Sequence, residues 1–245
     1  MRIKLVIEYD GTGYSGWQRQ DREPSVQATI EDVLRELTGV KTVLHAAGRT
    51  DAGVHALGQA AHFDTESPIP PDKFSFALNS LLPPDIRIRE SSLADGQFHA
   101  RFDAKRKHYR YVIHNSLHAS AVLRNQSMHV PIQLDMDKMR RAAESLIGTH
   151  DFAAFAGSSC SVKTTVRTVY GIEITRSESL VRIDVVGNGF LYNMVRIIAG
   201  TLIYVGIGKL KPEDVSGILE SKDRRRAGIT AKPQGLFLVE VFYES

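Results

Sequence analysis

Gly48-Arg49-Thr50-Asp51-Ala52-Gly53-Val54-His55-Ala56 is the stretch that decides how the rest of this 245-residue chain is read. It follows a short β-rich segment, Thr42 to Ala47, and carries glycines on both sides of Asp51. Glycines so placed permit a sharp turn. Such a turn can present one carboxylate at the mouth of a cleft. Arg49, two residues earlier, can meet a phosphate or the carboxylate itself. Taken alone, the stretch fits a surface turn in which Asp51 caps a backbone amide equally well. His55 fits a structural turn residue better than a base. No glycosidase-type carboxylate pair surrounds Asp51, whose nearest acidic neighbour in sequence is Asp64.

Upstream, Arg2 to Tyr9 alternates and is β-rich, which predicts a strand. Asp10 to Pro24, rich in Gly, Ser, Gln and Arg, predicts a loop. Val26, Ile30, Val33, Leu34 and Leu37 then recur at helical spacing, with Ser25 placed to cap and Gly39 near the stop. Within the loop, Gly11, Gly13 and Gly16 spell G-x-G-x-x-G. A dinucleotide site needs a helix opening inside that run, so that its N-terminus faces the pyrophosphate. Here Trp17-Gln18-Arg19-Gln20 and Pro24 intervene, and no acidic residue ends a second strand at the required distance. A polar glycine loop carrying Tyr14, Trp17, Gln18 and Arg19 suits a nucleic-acid contact better.

Downstream, strands are predicted over Gln59–Phe63, Ile86–Leu93 and His108–His114, and helices over Pro71–Leu82 and from Met136 to near Gly148. Thr168–Thr175 and Leu180–Val186 read as a hairpin, Leu191–Val205 as an apolar helix, Pro212–Leu219 as a short helix and Leu236–Tyr243 as a closing strand. Two successive sets of strands and helices, divided near residues 100–107, predict an α+β protein of two halves, 1–104 and 105–245.

Composition bounds the function classes. Apolar residues at 42% and charged residues at 24% are ordinary for a globular protein. The lone Cys160 allows no internal disulfide and no cysteine-based zinc site, and reads as an ordinary loop residue. Of the nine histidines only His114 and His118 are suggestively spaced, and they lack a third ligand. No long apolar run predicts a membrane span, and Met1-Arg2-Ile3-Lys4 leads straight into a strand rather than a signal peptide, so a cytoplasmic location is expected. Net charge is only +3, but it is clustered. Arg101 to Tyr111 holds Arg101, Lys105, Arg106, Lys107 and Arg110 against Asp103, and Lys222 to Arg226 holds four cations against Asp223. Such clusters suit either a positive groove or solvated basic turns.

The string Gly48–Ala56 resembles the signature of the tRNA pseudouridine synthase A (TruA) family, and the likeness runs along nearly the whole chain. Tyr9-Asp10-Gly11-Thr12 with Gly16-Trp17-Gln18 resembles the family's opening. Phe98-His99-Ala100-Arg101 with Lys107-His108-Tyr109-Arg110-Tyr111 resembles its basic segment. Gly148-Thr149-His150-Asp151-Phe152, Asn188-Gly189-Phe190-Leu191 with Met194-Val195-Arg196, and Gly235-Leu236 follow in order. Ile229 and Lys232 stand where prolines are common in the family, and Gln59-Ala60-Ala61 departs slightly from its usual string.

The resemblance implies the pseudouridine synthase fold, two α/β halves with mainly antiparallel sheets flanked by helices around a central basic cleft. It implies isomerisation of uridine to pseudouridine at positions 38, 39 and 40 of the tRNA anticodon stem-loop, by a homodimer that uses neither metal nor organic cofactor. Asp51 takes the catalytic position. Addition at the ribose carbon, addition at uracil C6 and assistance to elimination toward a glycal are all open to it. Arg196, the only charged residue between Phe190 and Gly206, is its expected partner. Tyr109 is expected to stack on the extruded uracil and to help remove the C5 proton, and Arg49 to fill the space left by the base or to hold its phosphate. Leu236 is expected in the apolar wall, and Arg101, Lys105, Arg106, Lys107 and Arg110 along the tRNA backbone. A tRNA-binding module without catalysis shares every one of these features except a working Asp51.

Overall fold

The computed structural model describes residues 1–20, 22–157 and 162–244, so Cys160 lies outside the described residues. Its strands are β1 (Arg2–Tyr9), β2 (His45–Ala46), β3 (His55–Asp64), β4 (Ile86–Ala94), β5 (Arg106–Asn115), β6 (Met128–Val130), β7 (Gly148–Asp151), β8 (Val166–Ser177), β9 (Leu180–Gly187) and β10 (Leu236–Phe242). Its α-helices are α1 (Val26–Thr38), α2 (Phe74–Asn79), α3 (Met136–Glu144), α4 (Met194–Gly206) and α5 (Asp214–Ser221). No helix among the described residues is long and apolar enough to cross a membrane. The chain forms two compact units, Met1–Lys105 with Phe237–Ser245, and Arg106–Leu236. The expected halves, 1–104 and 105–245, differ from this at the end of the chain. Residues from Phe237 belong with the first unit because β10 pairs in parallel with β3, Phe237 opposite His55 and Leu238 opposite Ala56.

In the first unit β1 lies between β4 and β3, antiparallel to both. The alternation of β1 is expressed in full: Ile3, Leu5, Ile7 and Tyr9 are buried, each aliphatic one contributing roughly 1.5–3 kcal/mol. α1 buries Val26, Ile30, Val33 and Leu34, and the buried Ser25 hydroxyl accepts the Ala28 N–H at 3.3 Å as its cap. Of the strand expected over Thr42–Ala47, only His45–Ala46 pairs with β3. The Leu44 amide is instead taken by the Glu31 carboxylate of α1 at 2.9 Å, and its carbonyl by Gln27 at 3.2 Å. The helix expected over Pro71–Leu82 is a 3-10 turn, Pro71–Lys73, followed by the short α2. The pair Pro83-Pro84 disfavours helical geometry just before it.

The second unit is an antiparallel sheet in the order β5, β9, β8, β7, with β6 parallel to β5. β8 and β9 form the predicted hairpin, with Ser177 opposite Leu180. Every residue of α4 except Arg196 and Tyr204 is buried, which explains its apolar run. It begins at Met194 rather than Leu191 because Asn193 takes the left-handed conformation, φ 60°. The mixed α+β architecture with mainly antiparallel strands is as predicted.

Candidate active site

Two loops of the first unit, residues 10–17 and 48–54, lie backbone against backbone. The Trp17 N–H donates to the Thr50 carbonyl at 3.1 Å, and the Gly53 N–H to the Tyr14 carbonyl at 3.3 Å. These two bonds bracket Asp51. The Val54 N–H donates back to the Asp51 carbonyl at 3.1 Å and closes the turn. Behind it, the buried Thr50 hydroxyl shares a 2.7 Å hydrogen bond with the Tyr9 hydroxyl, and Gln59 Nε2 donates to the Gly48 carbonyl at 2.8 Å. Asp51 itself stays half-buried. A carboxylate on a turn fixed from both sides has little freedom left to lose when substrate arrives.

The glycine motif makes this approach possible. A Cβ on Gly11 would sit 2.0 Å from the Val54 carbonyl oxygen, and one on Gly16 would sit 2.5 Å from that of Thr50. Gly16 also holds φ at 102°. Gly13 faces open space. No helix opens in the run beyond the 3-10 turn Gly11–Gly13. The motif is therefore a buttress for the Asp51 loop. His55 completes it: its ring is buried, stacks on Phe237 at 4.7 Å, and accepts the Gly11 N–H on Nδ1 at 3.1 Å. The same Nδ1 lies 3.2 Å from Asp10. Burial alone would push the Asp10 carboxyl up, but the hydrogen bonds it accepts from the Thr12 hydroxyl and amide outweigh it and hold the group below the usual carboxylate range.

Three residues of the glycine loop take other places than expected. Trp17 is buried, 2% exposed, with its ring 5.9 Å from that of Tyr9, so it is a core residue and offers no face for a base. Arg19 is spent on α1, on Glu31 at 2.8 Å and Asp32 at 3.1 Å. The Tyr14 hydroxyl donates to Asp85 at 2.8 Å, and burial followed by that carboxylate raises its pKa. Gln18 is half-buried. Arg49 is exposed and has no ion pair among the described residues.

The two basic clusters divide in the same way. Arg101 and Lys105 are exposed without an ion pair among the described residues. Arg106 and Lys107 are half-buried where β5 starts. Arg110 donates through Nε to Asp184 at 2.9 Å, and His108 shares that carboxylate at 2.5 Å. Burial pushes Asp184 up and these two partners pull it below its usual range. Arg110 is thus locally neutralised where a phosphate contact was expected. In the other cluster, Lys222 pairs with Asp151 at 2.8 Å and Arg225 with Asp223 at 2.7 Å. Arg224 ties the Gly228 carbonyl and the Thr230 hydroxyl. That cluster is largely absorbed by structure.

In the second unit, Tyr109 is buried on β5 opposite Val185 of β9, with the Phe190 ring edge-on at 5.2 Å. Tyr111, on the same face, is fully buried and donates its hydroxyl to the Lys232 carbonyl at 2.7 Å. Arg196, the half-exposed cation of α4, donates through Nε to the Ala231 carbonyl and through Nη1 to Asn193, both at 2.7 Å. Leu236 is buried at the start of β10. Sequence reasoning missed Phe190 as a partner of Tyr109. Asn188-Gly189-Phe190 was in view only as a family string.

A family model described as tRNA pseudouridine synthase matches residues 5–103 and 142–244. The chain belongs to the tRNA pseudouridine synthase family. It is 54% identical over 241 residues to a tRNA pseudouridine synthase A of Acetivibrio thermocellus, covering 98% of this chain and 99% of that protein. It is 52% identical over 243 residues to one of Ruminiclostridium cellulolyticum, covering 99% of each. A Geotalea uraniireducens relative of the same name is 52% identical over 242 residues, covering 99% of each. A chain in a crystal structure of a Cbf5–Nop10–Gar1 complex aligns with 82% of this chain and 54% of its own at a TM-score of 0.35 and 12% identity, a likeness too slight to add to the assignment.

Proposed function

We propose that this chain is an isomerase that converts uridine to pseudouridine within tRNA. Membership of the family supports the reaction, and the doubly bracketed Asp51 turn supports the residue that performs it. The reaction breaks the C1′–N1 bond, turns the uracil and forms C1′–C5; C5 loses its proton to solvent and N1 takes one up. Substrate and product have the same formula, so the step needs no oxidant or co-reactant. Asp51 adds to the substrate or steadies the positive charge that develops as the glycosidic bond breaks. Arg196, with two donors already fixed by Ala231 and Asn193, supplies the compensating charge. Tyr109 meets the extruded uracil, Leu236 forms part of its apolar wall, and Arg49 takes the vacated space or the phosphate. Arg101, Lys105, Arg106 and Lys107 follow the tRNA backbone, with Gln18 at the edge of the loop. We place the target at positions 38, 39 and 40 of the anticodon stem-loop, the working form as a homodimer and its compartment as the cytoplasm.

Release of tritium from C5-labelled uridine in a tRNA transcript tests this. Wild type should release it, and Asp51→Asn should release none while still binding tRNA. Release undiminished in Asp51→Asn would refute the role of that carboxylate. Absence of release by the wild type, with binding intact, would favour a tRNA-binding module instead. Mapping pseudouridine in tRNA from cells with and without the gene locates the target.

A further inference from the structure

We propose that the turn from Phe98 to Asp103 is a stacking platform for an unpaired nucleobase, with the Phe102 ring as its face and Arg101 and Lys105 as its phosphate contacts. This rests on the tRNA reading above and adds a binding site to it. Phe102 is 73% exposed, and Arg101 and Lys105 on either side of it are exposed without an ion pair among the described residues. Water is a poor environment for a bare aromatic ring, and flexible turns fold such rings away. This turn prevents that.

Six hydrogen bonds hold it. His99 Nδ1 accepts the Arg101 N–H at 3.1 Å and the Phe102 N–H at 3.4 Å. The Asp103 carboxylate accepts the His99 N–H at 2.8 Å, and the Asp103 N–H donates back to the His99 carbonyl at 3.0 Å. The Ala100 N–H donates to the buried His62 at 3.1 Å, and the Ala100 carbonyl accepts the Tyr243 hydroxyl at 2.9 Å. The His99 ring backs Phe102 at 4.2 Å and 31°, and the Arg101 guanidinium stands 5.8 Å from the Phe102 centroid. A rigid, exposed aromatic backed by a second ring and flanked by uncommitted cations is the arrangement that binds unstacked bases. The ring takes any base by its π-face, and the cations take the backbone.

The test uses full-length protein and an unmodified tRNA transcript. Phe102→Ala should weaken binding about 5- to 150-fold, the range of one lost base stack. It should leave the thermal midpoint and the salt dependence of binding unchanged. Arg101→Gln should lower the salt slope by about 0.7, one single-strand phosphate contact. Phe102→Trp should restore affinity and report directly: the one native tryptophan, Trp17, is buried, so tRNA-dependent quenching of emission and protection from iodide arise at position 102. Wild-type affinity in Phe102→Ala, or an unresponsive indole in Phe102→Trp, while the wild type binds and isomerises tRNA, would overturn the platform and leave the function standing. Loss of affinity accompanied by a change of oligomeric state in sedimentation would assign the ring to a protein interface and also overturn it. A wild type that does not bind tRNA would refute the tRNA reading itself.

Discussion

Replacing Gly11 by alanine separates the two readings of the glycine run. A Cβ at that position lies 2.0 Å from the Val54 carbonyl oxygen, with the Val54 carbonyl carbon at 2.7 Å. Both partners are backbone, so no side chain can swing aside. Ordinary van der Waals contact requires the two loops to part by at least about 1 Å. Val54 donates its N–H to the Asp51 carbonyl, so the displacement reaches the carboxylate through one hydrogen bond. A shift of that size at a reacting group costs on the order of 100-fold in rate. The overpacking itself costs about 1–3 kcal/mol, which lowers the melting midpoint by roughly 2–4 °C per kcal/mol in a chain of this length. Single-turnover tritium release and calorimetry read the two effects. Affinity for tRNA should change little, since Gly11 is buried. Gly13→Ala, with nothing within 4 Å of its new methyl, should behave as wild type. A phosphate cradle predicts the reverse pattern, loss of affinity in both variants. Wild-type turnover in Gly11→Ala, or equal damage in Gly13→Ala, would refute the buttress.

Three further outcomes follow from the geometry. Thr50→Val leaves the buried Tyr9 hydroxyl without this partner and should cost about 1–3 kcal/mol. Its turnover should fall well below that of Ser25→Ala, a cap deletion of about 1 kcal/mol away from Asp51, and equal turnover in the two would count against the role of Thr50. His62 is pushed down from 6.5 to about 4 by burial and by the charges of Arg2, His45 and His99, against a smaller opposing effect of Asp64. The unfolded chain takes up that proton near pH 6.5 and the folded chain only near 4, so stability present above pH 6.5 drains away as pH falls toward 4. Urea unfolding across that window should show a shallower loss in His62→Gln, and an unchanged slope would exclude His62 as its source. Asp184→Asn takes the shared charge from His108 and Arg110, and should cost about 1.5–3 kcal/mol in urea unfolding at pH 7. Because its folded pKa is lowered, the wild-type advantage should fade as pH drops through the carboxylate range.

Much of the fold was legible because its elements are written in period. β1 alternates, and α1 has its stripe between Ser25 and Gly39. The hairpin of β8 and β9 has two apolar runs around a short turn. What was not legible depends on partners distant in sequence. Nothing in Leu236–Tyr243 says that its neighbour is β3, some 180 residues earlier, so the last strand was assigned to the wrong unit. Nothing in Thr42–Leu44 says that the Leu44 amide will be claimed by Glu31.

Charge at the site was harder to read than position, for a physical reason. A sequence counts cations but does not say which carboxylate each will meet. Lys222–Arg226 and Arg101–Arg110 look alike as strings, and their fates differ. Asp223 sits two residues before Arg225 and captures it at short range, while Asp151 takes Lys222. Within the other string, Arg110 points across β5 to Asp184 on β9, opposite it in register. Arg101 lies beyond the start of that strand, where no register supplies an acid. Asp103, the one carboxylate nearby in sequence, is already fixed on the His99 amide. The cation that remains available to a phosphate is therefore decided by strand register and by a backbone hydrogen bond, neither of which a local charge count contains. Asp103→Ala tests this directly. The turn would lose the carboxylate's bond to the His99 amide, and tRNA affinity should fall even though a negative charge has been removed. A rise in affinity would show that charge alone governs the segment.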